Sequence, residues 1–144
     1  MKVHDIIGEK GNRVATIAPE ATVAAATAML KEEGVGALVV SNDGLSVDGI
    51  LSERDLVRAL TDHGGEIMES PVSRFMTHEV KTCDPNADLT EIMTEMTNRR
   101  IRHLPIVESN KLCGIISIGD VVKYRLEELQ READSLRDYI GGRA

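Results

Sequence analysis

Residues 14–30, VATIAPEATVAAATAML, and residues 80–96, VKTCDPNADLTEIMTEM, spell one pattern twice. Val14 stands over Val80, Thr16 over Thr82, Pro19 over Pro85 and Ala21 over Ala87, each pair 66 positions apart (80 − 14). After a one-residue slip, GILSERDLV at 49–57 lies over GIISIGDVV at 114–122, 65 positions apart (114 − 49). Duplicated supersecondary units pack against each other to share a core. The repetition therefore predicts a pseudo-two-fold pair with a cleft between its halves, and function turns on what that cleft holds.

Each copy reads as strand, helix, strand, strand, helix, an α/β chain of the α+β type. Short strands are expected at Val14–Ile17 and Val80–Cys83, each ended by a proline, with helices following over 22–33 and 88–98. Thr22 and Asp88 stand where an N-cap belongs, and Gly34 follows the first helix. ALVVS from Ala37 and HLPIV from His103 are apolar runs of buried strands. The expected organisation is repeat one over 1–62 with its lead-in, a Gly- and Pro-containing linker over 63–79, repeat two over 80–126, and a helical extension and tail over 127–144. In that extension Val122, Leu126, Leu129, Ala133, Leu136 and Ile140 form one apolar stripe, suited to the chain's own surface or to a second copy. Residues 141–144 are expected to be a frayed tail.

Composition narrows the classes. The chain has 144 residues, 42% of them hydrophobic, enough for a core, and that core must be aliphatic because there is no Trp, one Phe and two Tyr. A formal charge of −7 argues against nucleic acid or anionic membrane as the main partner. No apolar run approaches the roughly 20 residues of a membrane span, and no signal-like pattern opens the chain, so a cytoplasmic location is expected. Cys83 and Cys113 lack metal-ligand spacing and read as buried thiols rather than a disulfide. His4, His63 and His78 are isolated, while Met29, Met93 and Met96 fall on apolar helix faces. Nothing pairs a nucleophile with a base, which argues against catalysis.

The sharpest local signal is Ser52-Glu-Arg-Asp55 and its echo Ser117-Ile-Gly-Asp120. Ser-x-x-Asp before an apolar run is a capping box that satisfies orphan helix amides. Its recurrence where a strand enters a helix also fits an anion site, because free N–H groups and the positive helix end converge there. Arg54, Arg58 and Lys123 stand nearby. A carboxylate repels phosphate but accepts a ribose diol, so Ser on phosphate and Asp on ribose would make a nucleotide site. The two roles can coexist. A second cluster, Arg99-Arg100-Ile101-Arg102-His103-Leu104-Pro105, reads either as a solvated helix end or as an electropositive lip gripping phosphate. Repeat one carries uncharged Val35-Gly36-Ala37-Leu38 at that place.

With IRHLPIV, GILSERDLV and GIISIGDVVK in place, residues 3–126 resemble a tandem pair of cystathionine β-synthase (CBS) domains, the Bateman module. The absence of an attached enzyme domain is similar to small stand-alone CBS-pair proteins of bacteria and to those of plant organelles. The resemblance implies two β-α-β-β-α repeats forming a disc, discs that associate as homodimers through their helices, and adenosine compounds in the clefts. AMP is expected first, with ADP, ATP, NAD-type dinucleotides or S-adenosylmethionine as alternatives. It further implies that Asp120 and Asp55 hold ribose while Ser117 and Ser52 hold phosphate. The basic pair before the Leu104-Pro105 strand becomes Arg102 and His103. Val80 and Thr82, or Val14 and Thr16, line the base pocket. Because Gly36-Ala37 replaces the basic pair in repeat one, the Asp120 cleft is expected to be the stronger, with Arg54 reaching over the weaker one.

The expected function is a non-catalytic nucleotide sensor read by an unidentified partner protein. The competing expectation is a structural adaptor whose Ser-x-x-Asp motifs only cap helices.

Overall fold

The computed structural model describes residues 1–141. A helix unforeseen in the sequence, α1 (Val3–Lys10), precedes repeat one, which comprises β1 (Thr16–Ile17), α2 (Val23–Glu33), β2 (Ala37–Val40), β3 (Gly49–Ser52) and α3 (Glu53–His63). Two 3-10 turns, Gly65–Glu69 and Val72–Arg74, lead to α4 (Leu89–Arg99), β4 (His103–Glu108), β5 (Lys111–Ser117) and α5 (Ile118–Ile140). The tail expected at 141–144 lies, past Gly141, outside the described residues.

Strands β1 and β2 run parallel and β2 and β3 antiparallel, with Ala37 opposite Ser52. In repeat two β4 and β5 pair antiparallel with His103 opposite Ser117, the same register. The strand expected at Val80–Cys83 shrinks to one parallel bridge between Cys83 and Ile106. Proline is the reason. In repeat one the Val39 amide donates to the Ala15 carbonyl at 3.2 Å. The residue at that place in repeat two is Pro105, which has no N–H to give the Lys81 carbonyl. Only Cys83 keeps its bonds, donating to Pro105 O at 3.0 Å and accepting from Val107 N at 2.9 Å. Val80 and Lys81 are thereby released from the sheet.

Helix ends follow local chemistry. Thr22 Oγ1 accepts the Ala25 amide at 3.1 Å, and Gly34 closes α2 in the left-handed region at φ 66°. Asp88 departs from expectation: it sits at the N-cap of α4 but its side chain makes no capping bond, because Lys2 Nζ takes it at 2.8 Å. Arg100 closes α4 at φ 56°, where glycine stands in repeat one. A left-handed non-glycine residue costs about 1–2 kcal/mol, so Arg100 is held there at some expense of stability.

The shared core expected from the repeat is two cores. Val23, Leu30, Leu38, Val40, Leu51 and Leu56 fill the first. Leu89, Met96, Leu104, Ile106, Ile116 and Val121, their repeat-two counterparts, fill the second. Each core is completed by the other repeat's lead-in. Val3 and Ile6 of α1 are buried in the second core, whereas Ile67 and Val72 of the linker are buried in the first. The docking bonds match one for one. Val3 N donates to Ala87 O and His4 N to Pro85 O, while Val72 N donates to Ala21 O and Ser73 N to Pro19 O. The linker is therefore the lead-in of repeat two. Burying such side chains stabilises by about 1.5–3 kcal/mol each, so the exchange ties the halves together.

The apolar stripe of α5 is uncovered: Val122, Leu126, Leu129, Leu136 and Ile140 are exposed, while Val121 and Tyr124 face the core. Cys83 and Cys113 are free thiols, each half-buried rather than buried. Burial first, then the neighbouring Cys113 and Asp84, pushes the Cys83 thiol up to about 12. Met96 is core, and Met29 and Met93 pack partly buried against the two cores. Among the described residues no helix is long and apolar enough to cross a membrane.

Candidate functional site

Both Ser-x-x-Asp motifs form complete capping boxes. Asp55 Oδ2 accepts the Ser52 amide at 2.9 Å and its hydroxyl at 3.0 Å, and the Asp55 amide donates to Ser52 Oγ at 3.2 Å. Asp120 Oδ2 repeats this with Ser117 at 2.8, 2.9 and 3.2 Å. The cap occupies one oxygen of each carboxylate. Oδ1 of each makes no hydrogen bond to the described residues, so capping leaves an acceptor for a ligand.

The surroundings of the two caps differ. Ser52 and Asp55 open onto a cleft of about 550 Å³ whose far wall belongs to repeat two. Arg54 and Arg58 line it from α3, Thr77, Glu79, Val80 and Lys81 from the lead-in of repeat two, and Arg99 to His103 from the turn between α4 and β4. Six cations, Arg54, Arg58, Lys81, Arg99, Arg100 and Arg102, face three carboxylates, Glu53, Asp55 and Glu79, in a chain of net charge −7. Arg99 pairs with Glu95 at 2.5 Å. The other five cations make no ion pair among the described residues. Such a concentration of free positive charge beside converging helix amides suits an anion.

Asp120 stands apart from this cleft. Its Oδ2 also receives the Lys10 ammonium from α1 at 2.5 Å, and Lys10 Nζ donates to the Ile115 carbonyl at 2.8 Å. Burial pushes the Asp120 carboxyl up, but Lys10 and the Ser117 donors outweigh it and hold the group below its ordinary value.

Of the residues singled out in the sequence, the cleft gathers Gly36, Ser52, Arg54, Asp55, Val80, Arg102 and His103. Thr16 lies in β1, and Ala37, Leu104 and Pro105 are buried. Thr82 lies outside the cleft lining, as do Ser117 and Asp120. The cleft thus groups Arg102 and His103 with Asp55, whereas the expectation grouped them with Asp120. The reason is that the α4–β4 turn borders both caps. The Arg102 carbonyl accepts the Ile118 amide at 2.8 Å, mirroring Gly36 O and Glu53 N at 3.0 Å, while the cleft itself opens toward α3.

The missing basic pair of repeat one also has a physical account. A Cβ on Gly36 would come within 2.9 Å of Glu53 Oε1 and 3.4 Å of His103 Cε1. Repeat one is small at Gly36 because Glu53 of its own repeat crowds that space and His103 of repeat two packs at its edge. Burial, Lys10 and Arg102 push the His103 imidazole below its ordinary value, against Asp120 and Glu53, which pull it up. Sequence reasoning missed Thr77, Lys81 and Lys10. Thr77 is placed by its backbone bridge to Ile50, and Lys81 follows from the strand that Pro105 breaks. Lys10 was detectable by aligning the lead-ins, since Val3 to Val14 spans three positions more than Val72 to Val80.

Two stretches, 4–62 and 72–127, match the family model of the CBS domain. The chain belongs to the CBS-domain proteins. It is 36% identical over 109 residues to CBS domain-containing protein YhcV of Bacillus subtilis, covering 76% of each chain. A crystal structure of a CBS-domain containing protein from Agrobacterium tumefaciens superimposes with a TM-score of 0.84 at 40% identity, over 87% of this chain and 99% of that one. Two more distant structures share the fold. A CBS domain protein from Pyrobaculum aerophilum complexed with AMP has a TM-score of 0.74 at 20% identity, over 83% of this chain and 89% of that one. The CBS domain pair of protein MJ0100, in complex with methylthioadenosine and S-adenosylmethionine, has a TM-score of 0.78 at 18% identity, over 89% and 98%. Among the described residues no group of three His, Cys, Asp or Glu is placed to hold a metal ion.

Proposed function

We propose that this CBS pair is a regulatory module without chemistry of its own, binding an adenosine nucleotide in the cleft beside Asp55. The observation that carries the reading is the cleft itself, where a capped carboxylate with a spare oxygen meets five unpaired cations. Asp55 Oδ1 would accept ribose hydroxyls. Arg102, Arg100, Arg54 and Lys81 would neutralise phosphate, with the α3 amides behind them. Ile50, Val80 and Ile101 supply apolar surface for a base. The adenosine ligands of the Pyrobaculum aerophilum protein and of MJ0100 support the class. The excess of cations favours a phosphorylated member, AMP first and then ADP, ATP or NAD, over S-adenosylmethionine.

The reading extends to a cytoplasmic homodimer that signals to a partner protein, and the uncovered apolar stripe of α5 supports the dimer. Nucleotide would act by favouring one arrangement of the repeats over another.

A structural adaptor is the second reading, favoured by the complete capping boxes, which by themselves account for both Ser-x-x-Asp motifs. Thermal unfolding with AMP, ADP, ATP, NAD and S-adenosylmethionine decides between them. A ligand at 100 times its Kd adds about 2.7 kcal/mol of stability. Asp55→Asn keeps an acceptor for the Ser52 amide and should lose that response. Absence of any response in the unaltered chain at millimolar nucleotide would leave the adaptor.

A further inference from the structure

Resting on the nucleotide reading above, we propose that Lys10 is an internal occupant of the second half-site and limits the chain to one nucleotide. The two halves offer the same acceptors at equivalent places: the Ile50 carbonyl and Asp55 in one, the Ile115 carbonyl and Asp120 in the other. In repeat one the Ile50 carbonyl accepts the Thr77 amide at 2.8 Å, a backbone bond that leaves Asp55 facing the cleft. In repeat two a single ammonium bridges the same two groups, reaching Ile115 O at 2.8 Å and the capped oxygen Asp120 Oδ2 at 2.5 Å, which leaves Oδ1 beside a fixed positive charge. Asp120 Oδ2 then holds three donors, the Ser117 amide, the Ser117 hydroxyl and Lys10.

The device comes from the extra length of the first lead-in. Three additional positions between Val3 and Val14 let α1 run a further turn and carry Lys10 across to the α5 cap. The linker lead-in, shorter by those positions, meets the Ile50 carbonyl with the Thr77 backbone and, among the described residues, brings no side chain into an ion pair with Asp55. The contact is also partly sheltered: the Lys10 side chain is 31% exposed and that of Asp120 19%. A sheltered ammonium on the carboxylate offsets its charge, so a ribose hydroxyl gains less at the spare oxygen than it would at an unpaired carboxylate, whose bonds are charge-assisted. A positive charge fixed at Asp120 also shields the one carboxylate that would otherwise direct a second adenosine into that half.

Isothermal titration of the full chain with AMP, and separately with ATP, tests this. The unaltered chain should take up one equivalent. Lys10→Ala should take up two, the first with unchanged affinity, and Lys10→Ala/Asp120→Asn should return to one. Lys10→Met, which keeps an aliphatic stem without the charge, should behave as Lys10→Ala and guards against a folding defect, which a thermal melt of each variant reveals. Two equivalents in the unaltered chain would overturn the proposal, as would one equivalent in both Lys10 variants. Loss of an equivalent on removing Lys10 would overturn it too, by making the ammonium a ligand contact. If neither AMP nor ATP binds the unaltered chain or any variant, the nucleotide reading itself fails, and this inference fails with it. If Asp55→Asn alone abolishes the single equivalent, that reading stands and only the Lys10 variants bear on the inference.

Discussion

The two Ser-x-x-Asp caps have almost the same geometry and opposite surroundings. Asp55 and Asp120 each hold a serine amide and hydroxyl within 2.8 to 3.0 Å. One opens onto a cationic cleft and the other is paired with Lys10. A duplicated motif therefore specifies a duplicated backbone, while what it can bind is decided by whatever the other half delivers to it. Repeat two delivers arginines, a lysine and His103 to Asp55. The lead-in of repeat one delivers one ammonium to Asp120.

The largest expected effects test the exchange of lead-ins. Ile6→Ala should destabilise the chain by about 2–5 kcal/mol, as truncation of a fully buried residue does, and Ile67→Ala by a similar amount in the other half. Matching losses in urea denaturation would support reciprocal docking; a loss from only one would break the symmetry. The caps come next. Asp55→Asn removes a charged acceptor worth about 1.5–3 kcal/mol, so nucleotide affinity should fall by roughly 10–100-fold, while Asp120→Asn leaves it unchanged. Equal losses from both, measured by calorimetry, would mean that the halves bind alike.

Smaller effects sharpen the contrast. A Cβ on Gly49 would stand 2.5 Å from Met76 Sδ and 3.0 Å from Thr77 O, whereas one on Gly114 would stand 3.2 Å from Ile106 Cδ1. Gly49→Ala should therefore cost about 1–3 kcal/mol, and more than Gly114→Ala, in thermal unfolding. Arg100→Gly should release left-handed strain, stabilising by up to about 1 kcal/mol, yet weaken nucleotide binding. That split would show that strain is held at Arg100 in exchange for a cation in the cleft. The smallest effect is pH dependence from His103. Its folded-state value lies below the ordinary 6.5, so the unfolded chain binds the proton more readily. The associated stability is present above about 6.5 and is lost as pH falls through the lowered value. Replacing His103 with Gln should flatten that part of the melting curve's pH profile.

Most of the architecture was legible because repetition exposes register: Ala37 opposite Ser52 and His103 opposite Ser117 follow from two aligned copies. The caps were legible because Ser-x-x-Asp acts within one turn of chain. Three things were not. The strand at Val80–Cys83 was expected by analogy with Val14–Ile17, and Pro105, distant in sequence, removes the amide that would hold it. The helix Val3–Lys10 was overlooked because its apolar face matches the core of the other repeat, a non-local pairing that no window of sequence reports. That Arg102 and His103 line a cleft with Asp55 was illegible for the same reason. Arg102 and His103 lie near Asp120 along the chain, yet the cleft they line opens to Asp55.

Since Met1–Lys10 seats on repeat two and residues 70–76 seat on repeat one, neither half owns a complete outer edge. Cleaving the backbone near Gly64–Gly65 would give two fragments, each carrying the piece its counterpart lacks. Such fragments should find one another in solution, which makes the molecule a natural starting point for a split reporter whose reassembly rises and falls with ligand.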